Sequence, residues 1–291
     1  MAGGISGILL VDKPAGWTSH DVVGRLRRIT GQRRIGHSGT LDPMATGLLV
    51  VFLGRATRAV EFAEGHDKAY TALLRPGVVT DTLDTTGNVL ETSPERPERA
   101  ALEAALEAFR GEIEQLPPMY SAIKLGGKKL YEIARAGGEV ERQPRPVTIY
   151  NLECTGESEG DFILEVECSK GTYIRTLCDD IGRALGCGAC MSGLRRTRAG
   201  GFDVKDALTL EEIERRGAEN CLLPVDALFA GRPIVLLKDA RAEKALRNGM
   251  DVKFDAGLEG ECRVYAENGE FLALCRAEGG ILKTIKSFFE V

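Results

Sequence analysis

The stretch Gly36-His37-Ser38-Gly39-Thr40-Leu41-Asp42-Pro43-Met44-Ala45-Thr46-Gly47, followed by Leu48-Leu49-Val50-Val51-Phe52-Leu53, organises the chain. The six apolar residues of the second part have the signature of a strand buried on both faces. In the first part Pro43 pushes Asp42 away from the α region, toward an extended or turn conformation. Gly36, Gly39 and Gly47 allow tight bends and close approach of a ligand. The reading is an acidic residue, with His37 five positions before it, on a bent loop anchored by a core strand. Catalytic residues often sit on such loops. On local features alone the plainer reading is favoured: an Asp-Pro turn with no chemistry.

The composition bounds what the chain can be. With 291 residues, 43% of them hydrophobic, it can bury one large or two unequal cores. It holds no apolar run of membrane-spanning length, and the stretch Met1–Ser6 carries no signal-peptide pattern, so a cytoplasmic protein is expected. Eight cysteines lie between positions 154 and 275, with one CxxC, Cys187–Cys190. All three histidines precede residue 67, so buried thiols are a better reading than metal ligands, and no metal is expected. The net charge of −5 argues mildly against a nucleic-acid partner. Local patches matter more than sums to a phosphate. Residues 25–34 hold five Arg and no acid, and residues 170–198 hold six basic side chains against two Asp. Residues 80–115 carry nine acids against three Arg, which suggests a basic face and an acidic back.

Taken in order, Gly7–Asp12 reads as a buried strand ending in a Lys13–Gly16 turn. Thr18 or Ser19 caps a helix whose apolar face is Val22, Val23, Leu26 and Ile29, and Gly31 stops it. Residues 55–64 read as a short helix and 68–74 as a strand. Residues 97–110 read as an amphipathic helix. The Pro117-Pro118 pair excludes helix there, and a helix follows over 129–136. Residues 147–157 and 161–168 form a hairpin. The next helix is lined by Ile174, Leu177, Cys178 and Ile181. Arg175 lies in its first turn, where the helix dipole disfavours a cation. An acidic partner and an ordinary surface arginine are about even readings there. Gly231-Arg232-Pro233 marks a boundary, followed by short strands, a helix over 240–248 and an Asn268-Gly269 hairpin turn.

Arg33 through Leu49 resembles, nearly residue for residue over seventeen positions, the catalytic motif of the TruB family of bacterial tRNA pseudouridine-55 synthases. Gly171-Thr172-Tyr173-Ile174-Arg175 and Ser192-Gly193-Leu194-Arg195-Arg196-Thr197 resemble two further motifs of that family. The resemblance implies a mixed α+β fold with a central, mostly antiparallel sheet over residues 1–230. Within it, 115–146 would be an RNA-clamping insert. Residues 231–291 would be a small PUA-like barrel. The implied activity is isomerisation of uridine-55 in the tRNA T-arm by base flipping, with assistance to tRNA folding as a further role. The implied partner is the T-arm stem-loop, and a monomer with no cofactor is expected. Asp42 would be the catalytic carboxylate and Arg175 its partner, lowering its pKa. Tyr70 would stack on the target base, with Tyr173 and Leu194 completing the pocket. His37 would fill or support the gap in the RNA stack. Arg33, Arg34, Lys124, Lys128, Lys129, Arg195 and Arg196 would meet the RNA backbone. The family usually has Arg where Lys129 stands, so a bidentate phosphate fork is lost there.

The chemistry agrees with the residues. Converting uridine to pseudouridine breaks a C–N glycosidic bond and makes a C–C bond to the same sugar, with no redox step. The base must leave the stack, and a carboxylate must stand near the anomeric carbon. Two other classes remain: an RNA-binding or RNA-folding protein with an idle site, and a nucleoside hydrolase. A hydrolase needs a second carboxylate, and the motifs contain no acid besides Asp42.

Overall fold

The computed structural model describes residues 4–121, 123–254 and 257–289. The apolar run becomes the pivot of the fold. Strand β1 (Gly7–Lys13) pairs antiparallel with β3 (Thr46–Leu53) along its length. Between them lie helix α1 (Ser19–Thr30) and strand β2 (Ile35–Ser38), which pairs with the far edge of β3. Helix α1 starts on a reciprocal Thr18–Asp21 capping box and ends on Gly31 at φ 67, as its sequence requires. His37 therefore stands on a strand and not on the loop expected for it. The loop proper is 39–45, closed by Ala45 N–H donating to Asp42 C=O at 3.1 Å.

After a 3-10 turn (Gly54–Ala59) and helix α2 (Val60–Glu64) comes β4 (Lys68–Pro76). A small hairpin, β5 (Val78–Thr80) and β6 (Val89–Thr92), leads to α3 (Arg99–Leu106) and β7 (Gly111–Gln115). The 115–146 segment holds a short hairpin, β8 (Lys124–Leu125) with β9 (Lys128–Lys129), and helix α4 (Leu130–Arg135). The long hairpin β10 (Arg145–Ser158) and β11 (Asp161–Cys168) follows, then α5 (Ile174–Ala184), β12 (Ala189–Ala199) and β13 (Phe202–Asp203). Among the described residues these make one sheet of order β1-β3-β12-β4-β11-β10-β7, with β2 on β3 and β13 on β12. Only the β12–β3 pair is parallel, and it is short. There Gly47, at φ 94, lies against Arg196, where a Cβ would come within 2.3 Å of the Arg196 carbonyl oxygen.

Strands β1 and β3 are buried on both faces. Leu9, Val11, Leu49, Val51 and Leu53 pack on Val22, Val23 and Leu26 of α1 and on Leu210 and Ile213 of α6 (Leu210–Arg216). Each such aliphatic side chain contributes about 1.5–3 kcal/mol by leaving water. The alternate residues Ile8, Leu10, Leu48, Val50 and Phe52 face the C-terminal part. That part comprises β14 (Ile234–Leu237), α7 (Ala240–Arg247), β15 (Val252–Lys253), β16 (Gly260–Ala266), β17 (Phe271–Glu278) and β18 (Ile281–Ser287). Its sheet order is β14-β16-β17-β18-β15, a curled half-barrel compatible with a PUA-like domain. Phe229 joins the two parts, with its ring 5.5 Å from Phe62, 6.2 Å from Phe271 and 5.9 Å from Phe288. On the other side of the large sheet, α3 and α5 cover β4, β10, β11 and β12. No helix among the described residues is long and apolar enough to cross a membrane.

Candidate active site

The 39–45 turn, the start of α5 and the 80–86 turn meet around one arginine. The Arg175 Nε donates to Asp42 Oδ2 at 2.9 Å, and its Nη2 donates to Asp42 Oδ1 at 3.3 Å. The same guanidinium donates to the carbonyls of Tyr120 (2.8 Å) and Thr82 (3.1 Å). Of the pair, Arg175 is 6% exposed and Asp42 34% exposed, so the carboxylate is the member that can meet a substrate. Two donors from a planar fork fix the Asp42 rotamer. Burial raises the Asp42 pKa above the ordinary carboxylate value, with Asp84 adding to the rise; Arg175 and Lys13 only partly oppose it. Arg175 does lower the Asp42 pKa, as expected of it, but desolvation raises it by more, so the net direction is upward.

A second carboxylate, missed in the sequence, completes the constellation. Asp84 Oδ2 lies 3.8 Å from Arg175 Nη1. Its Oδ1 accepts from Thr82 Oγ1 (2.8 Å), Thr86 N–H (2.9 Å) and Thr86 Oγ1 (2.5 Å). Leu83, a non-glycine residue at φ 64, turns the chain so that Asp84 follows, and Met191 N–H holds the Leu83 carbonyl at 3.0 Å. Asp84 is buried and fully engaged, which suits a group that orients Arg175 and not one that touches a sugar. Gln115 was missed as well. Its side chain grips the Tyr173 backbone from both sides, accepting from N–H at 2.7 Å and donating to C=O at 3.0 Å, and so sets the start of α5. Lys13 is a third. It is fully buried, donates to the carbonyls of Pro14, Trp17 and Pro43, and has its pKa lowered to about 8 by burial.

The remaining expected residues divide. Tyr70 and Leu194 border the same apolar cluster as Leu41, Ala45 and Ile174, next to the Asp42 turn. Tyr70 is 8% exposed and burial raises its pKa. Tyr173 caps α5 and is half-buried, with its pKa also raised by burial. His37 is half-buried, its Nδ1 buried without a partner among the described residues, and burial lowers its pKa, so it is neutral near pH 7. Arg33, Arg34 and Lys128 are exposed, with Arg34 Nε donating to Thr57 Oγ1 at 2.9 Å. The side chains of Lys124 and Lys129 lie outside the described ones. Arg195 is half-open but holds Asp12 in a two-point pair at 3.0 and 2.7 Å. Arg196 does not fit the expected phosphate role. It is 1% exposed, and its Nε and Nη2 donate to the carbonyls of Leu48 (2.7 Å) and Gly39 (3.0 Å). The same guanidinium also meets the Tyr70 side chain, so it fastens β12 to the Asp42 turn and to β4.

Known proteins resemble the chain along most of its length. Residues 27–174 match the family described as TruB family pseudouridylate synthase (N terminal domain), and residues 175–230 match the tRNA pseudouridylate synthase B C-terminal domain. The chain is 47% identical over 282 residues to the tRNA pseudouridine synthase B of Azoarcus sp. (strain BH72), covering 96% of this chain and 93% of that protein. It is 43% identical over 302 residues to the protein of the same name from Geobacillus thermodenitrificans (strain NG80-2), covering 98% and 100%. Among solved structures it resembles a chain in the crystal structure of a Cbf5-Nop10-Gar1 complex, with a TM-score of 0.75, 28% identity, and coverage of 97% of this chain and 85% of that one. A chain in the structure of an H/ACA RNP bound to a substrate RNA containing 2'-deoxyuridine gives a TM-score of 0.73 at 26% identity, covering 98% and 85%.

Proposed function

The chain belongs to the TruB family of pseudouridylate synthases, and from that premise we propose that it isomerises uridine-55 in the T-arm of tRNA, with Asp42 acting on the flipped nucleotide. The observation that carries this reading is the half-open Asp42 carboxylate gripped by a buried arginine at 2.9 and 3.3 Å. The reaction detaches uracil N1 from C1′, turns the base, joins C5 to C1′, and transfers the C5 proton away while N1 regains one. An ionised carboxylate beside C1′ serves either route to that exchange: attack on C1′, or removal of the C2′ proton to give a glycal. Tyr70 offers the uracil an aromatic surface, worth about 1–3 kcal/mol per stacked base. Tyr173 and Leu194 close the pocket, and neutral His37 takes the place the base vacates. Arg33, Arg34 and Lys128 meet phosphates, with Lys124 and Lys129 proposed beside them. The 115–146 segment clamps the RNA. We divide the chain at residue 231, give the C-terminal half-barrel an RNA contact of its own, and expect a monomer.

The test is a T-arm stem-loop transcript, incubated with the purified chain and digested to nucleosides. One pseudouridine per RNA, abolished when the target uridine is replaced by cytidine, is the expected result. No pseudouridine at that position in either the stem-loop or full tRNA would reject the assignment.

A further inference from the structure

One face of α1 borders the catalytic turn and plays no part in the site described so far. Trp17, His20, Asp21, Gly24 and Arg28 follow at helical spacing and, with Gly16, line an open groove of about 390 Å³. The groove begins where the catalytic turn is pinned. The Gly16 N–H donates to Pro43 C=O at 2.8 Å, and Lys13 Nζ donates to the carbonyls of Trp17 (2.6 Å) and Pro43 (3.2 Å). Pro43 directly follows Asp42.

Gly24 is the informative residue. Glycine is unfavourable in a helix interior relative to alanine. Its φ is ordinary, and a Cβ added there would meet nothing within 4 Å. Neither backbone conformation nor packing within the chain accounts for it. What it leaves is bare helix backbone between a half-buried indole, an exposed imidazole and an exposed guanidinium.

Charge identifies the occupant. The Asp21 carboxylate is turned back onto the helix cap, accepting from Thr18 N–H at 2.8 Å and Thr18 Oγ1 at 2.6 Å. Arg28 is exposed and has no ion pair among the described residues, and Arg27, Arg33 and Arg34 lie near the same end of α1. An aromatic face, a bare shelf and a cation at one end suit an unstacked base with its phosphate. Resting on the assignment of tRNA as substrate, we infer that the α1 groove seats a nucleotide of the tRNA neighbouring the extruded uridine. Its base lies against Trp17 and over Gly24, and its phosphate lies on Arg28.

Trp17 is the chain's one tryptophan, so its emission reports on the groove directly. The experiment titrates unmodified tRNA transcript into the full chain carrying Asp42→Asn, following both fluorescence and filter retention. The expected result is saturable quenching with the midpoint of the retention curve. Gly24→Leu fills the shelf, so it should raise Kd and the KM for tRNA about tenfold while the Tm stays level or rises. Arg28→Gln should lower the salt slope of binding by about 0.7 in log–log terms, one phosphate contact on an unpaired strand. Binding by filter retention with unchanged emission would overturn the inference. So would a Gly24→Leu chain that binds and turns over like its parent, or one that changes oligomeric state with tRNA binding intact. A parent chain that neither binds tRNA nor forms pseudouridine rejects the enzymatic reading and this inference together. A parent that forms pseudouridine normally, beside an unaffected Gly24→Leu chain, rejects the groove alone.

Discussion

Two buried arginines, Arg175 and Arg196, flank the same turn, and their surroundings differ in one respect. Arg175 faces two carboxylates, and one of them, Asp42, remains about a third open to solvent. Arg196 faces no carboxylate among the described residues: it donates to the carbonyls of Leu48 and Gly39 and meets the Tyr70 side chain. The first arrangement stores a charge pair whose open member can react. The second closes a polar gap where β12 meets the turn. A buried cation near a site is therefore informative through its partners, and burial alone does not distinguish chemistry from fastening.

Substitutions can break that contrast. The largest effect is expected for Arg175→Lys, which keeps the charge and loses the fork: single-turnover pseudouridine formation should fall about 10³-fold, roughly 4 kcal/mol, while the Tm moves little. Retained turnover would mean that charge alone suffices at this position. Arg196→Met should do the reverse, lowering stability by roughly 3 kcal/mol in denaturant melts through the two orphaned carbonyls. At low temperature the folded fraction should still react; a folded but inactive chain would give Arg196 a chemical part.

Asp84→Asn keeps the acceptor for Thr82 and Thr86 and removes only charge. We expect a loss of about tenfold in turnover, near 1.4 kcal/mol, as Arg175 loses one of its two anchors. Asp84 raises the Asp42 pKa, so the acid limb of the pH–rate profile should shift to lower pH in this variant. A limb that stays put would uncouple the two carboxylates. A pH effect without loss of turnover concerns Lys13, whose folded pKa of about 8 lies below its ordinary 10.5. Between those values the unfolded chain binds the extra proton, so this group's contribution to stability rises with pH across that window. Relative to Lys13→Met, the wild type should gain roughly 2–3 kcal/mol from pH 8 to pH 10.5 in parallel melts. Parallel curves would show that Lys13 stays charged.

Much of the fold is readable in the sequence because its signals are local. The Thr18 cap, the Gly31 stop, the double-faced run 48–53 and the α5 face each rest on a few adjacent residues. Strand β12 was not read. Its sequence Ala-Cys-Met-Ser-Gly-Leu-Arg-Arg-Thr-Arg-Ala does not alternate cleanly, because register shifts near Gly193 and Arg198 break the period and an arginine points inward. Asp84 was invisible for a related reason: in Thr-Asp-Thr-Leu-Asp-Thr-Thr-Gly it is one polar residue among many, and only the Leu83 turn brings it to Arg175. The hydrolase reading ranked last because the motifs hold no second carboxylate; one does lie nearby, in Asp84, buried and already bonded. Asp42, Arg175, Tyr70 and Leu194 were singled out as candidates through motif resemblance; that four separate elements bring them together is a tertiary fact.

The most direct measurement is made on Asp42→Asn. Ionised Asp42 is held in the fold against its own burial, so the amide should leave the Tm within a few degrees, with Arg175 still bonded to Thr82, Tyr120 and Asp84. Pseudouridine formation and tRNA affinity are then read on one folded sample. The account predicts no detectable product at any pH, with tRNA bound at least as tightly as by the wild type. Product formed at the wild-type rate would remove Asp42 from the chemistry and contradict the account at its centre.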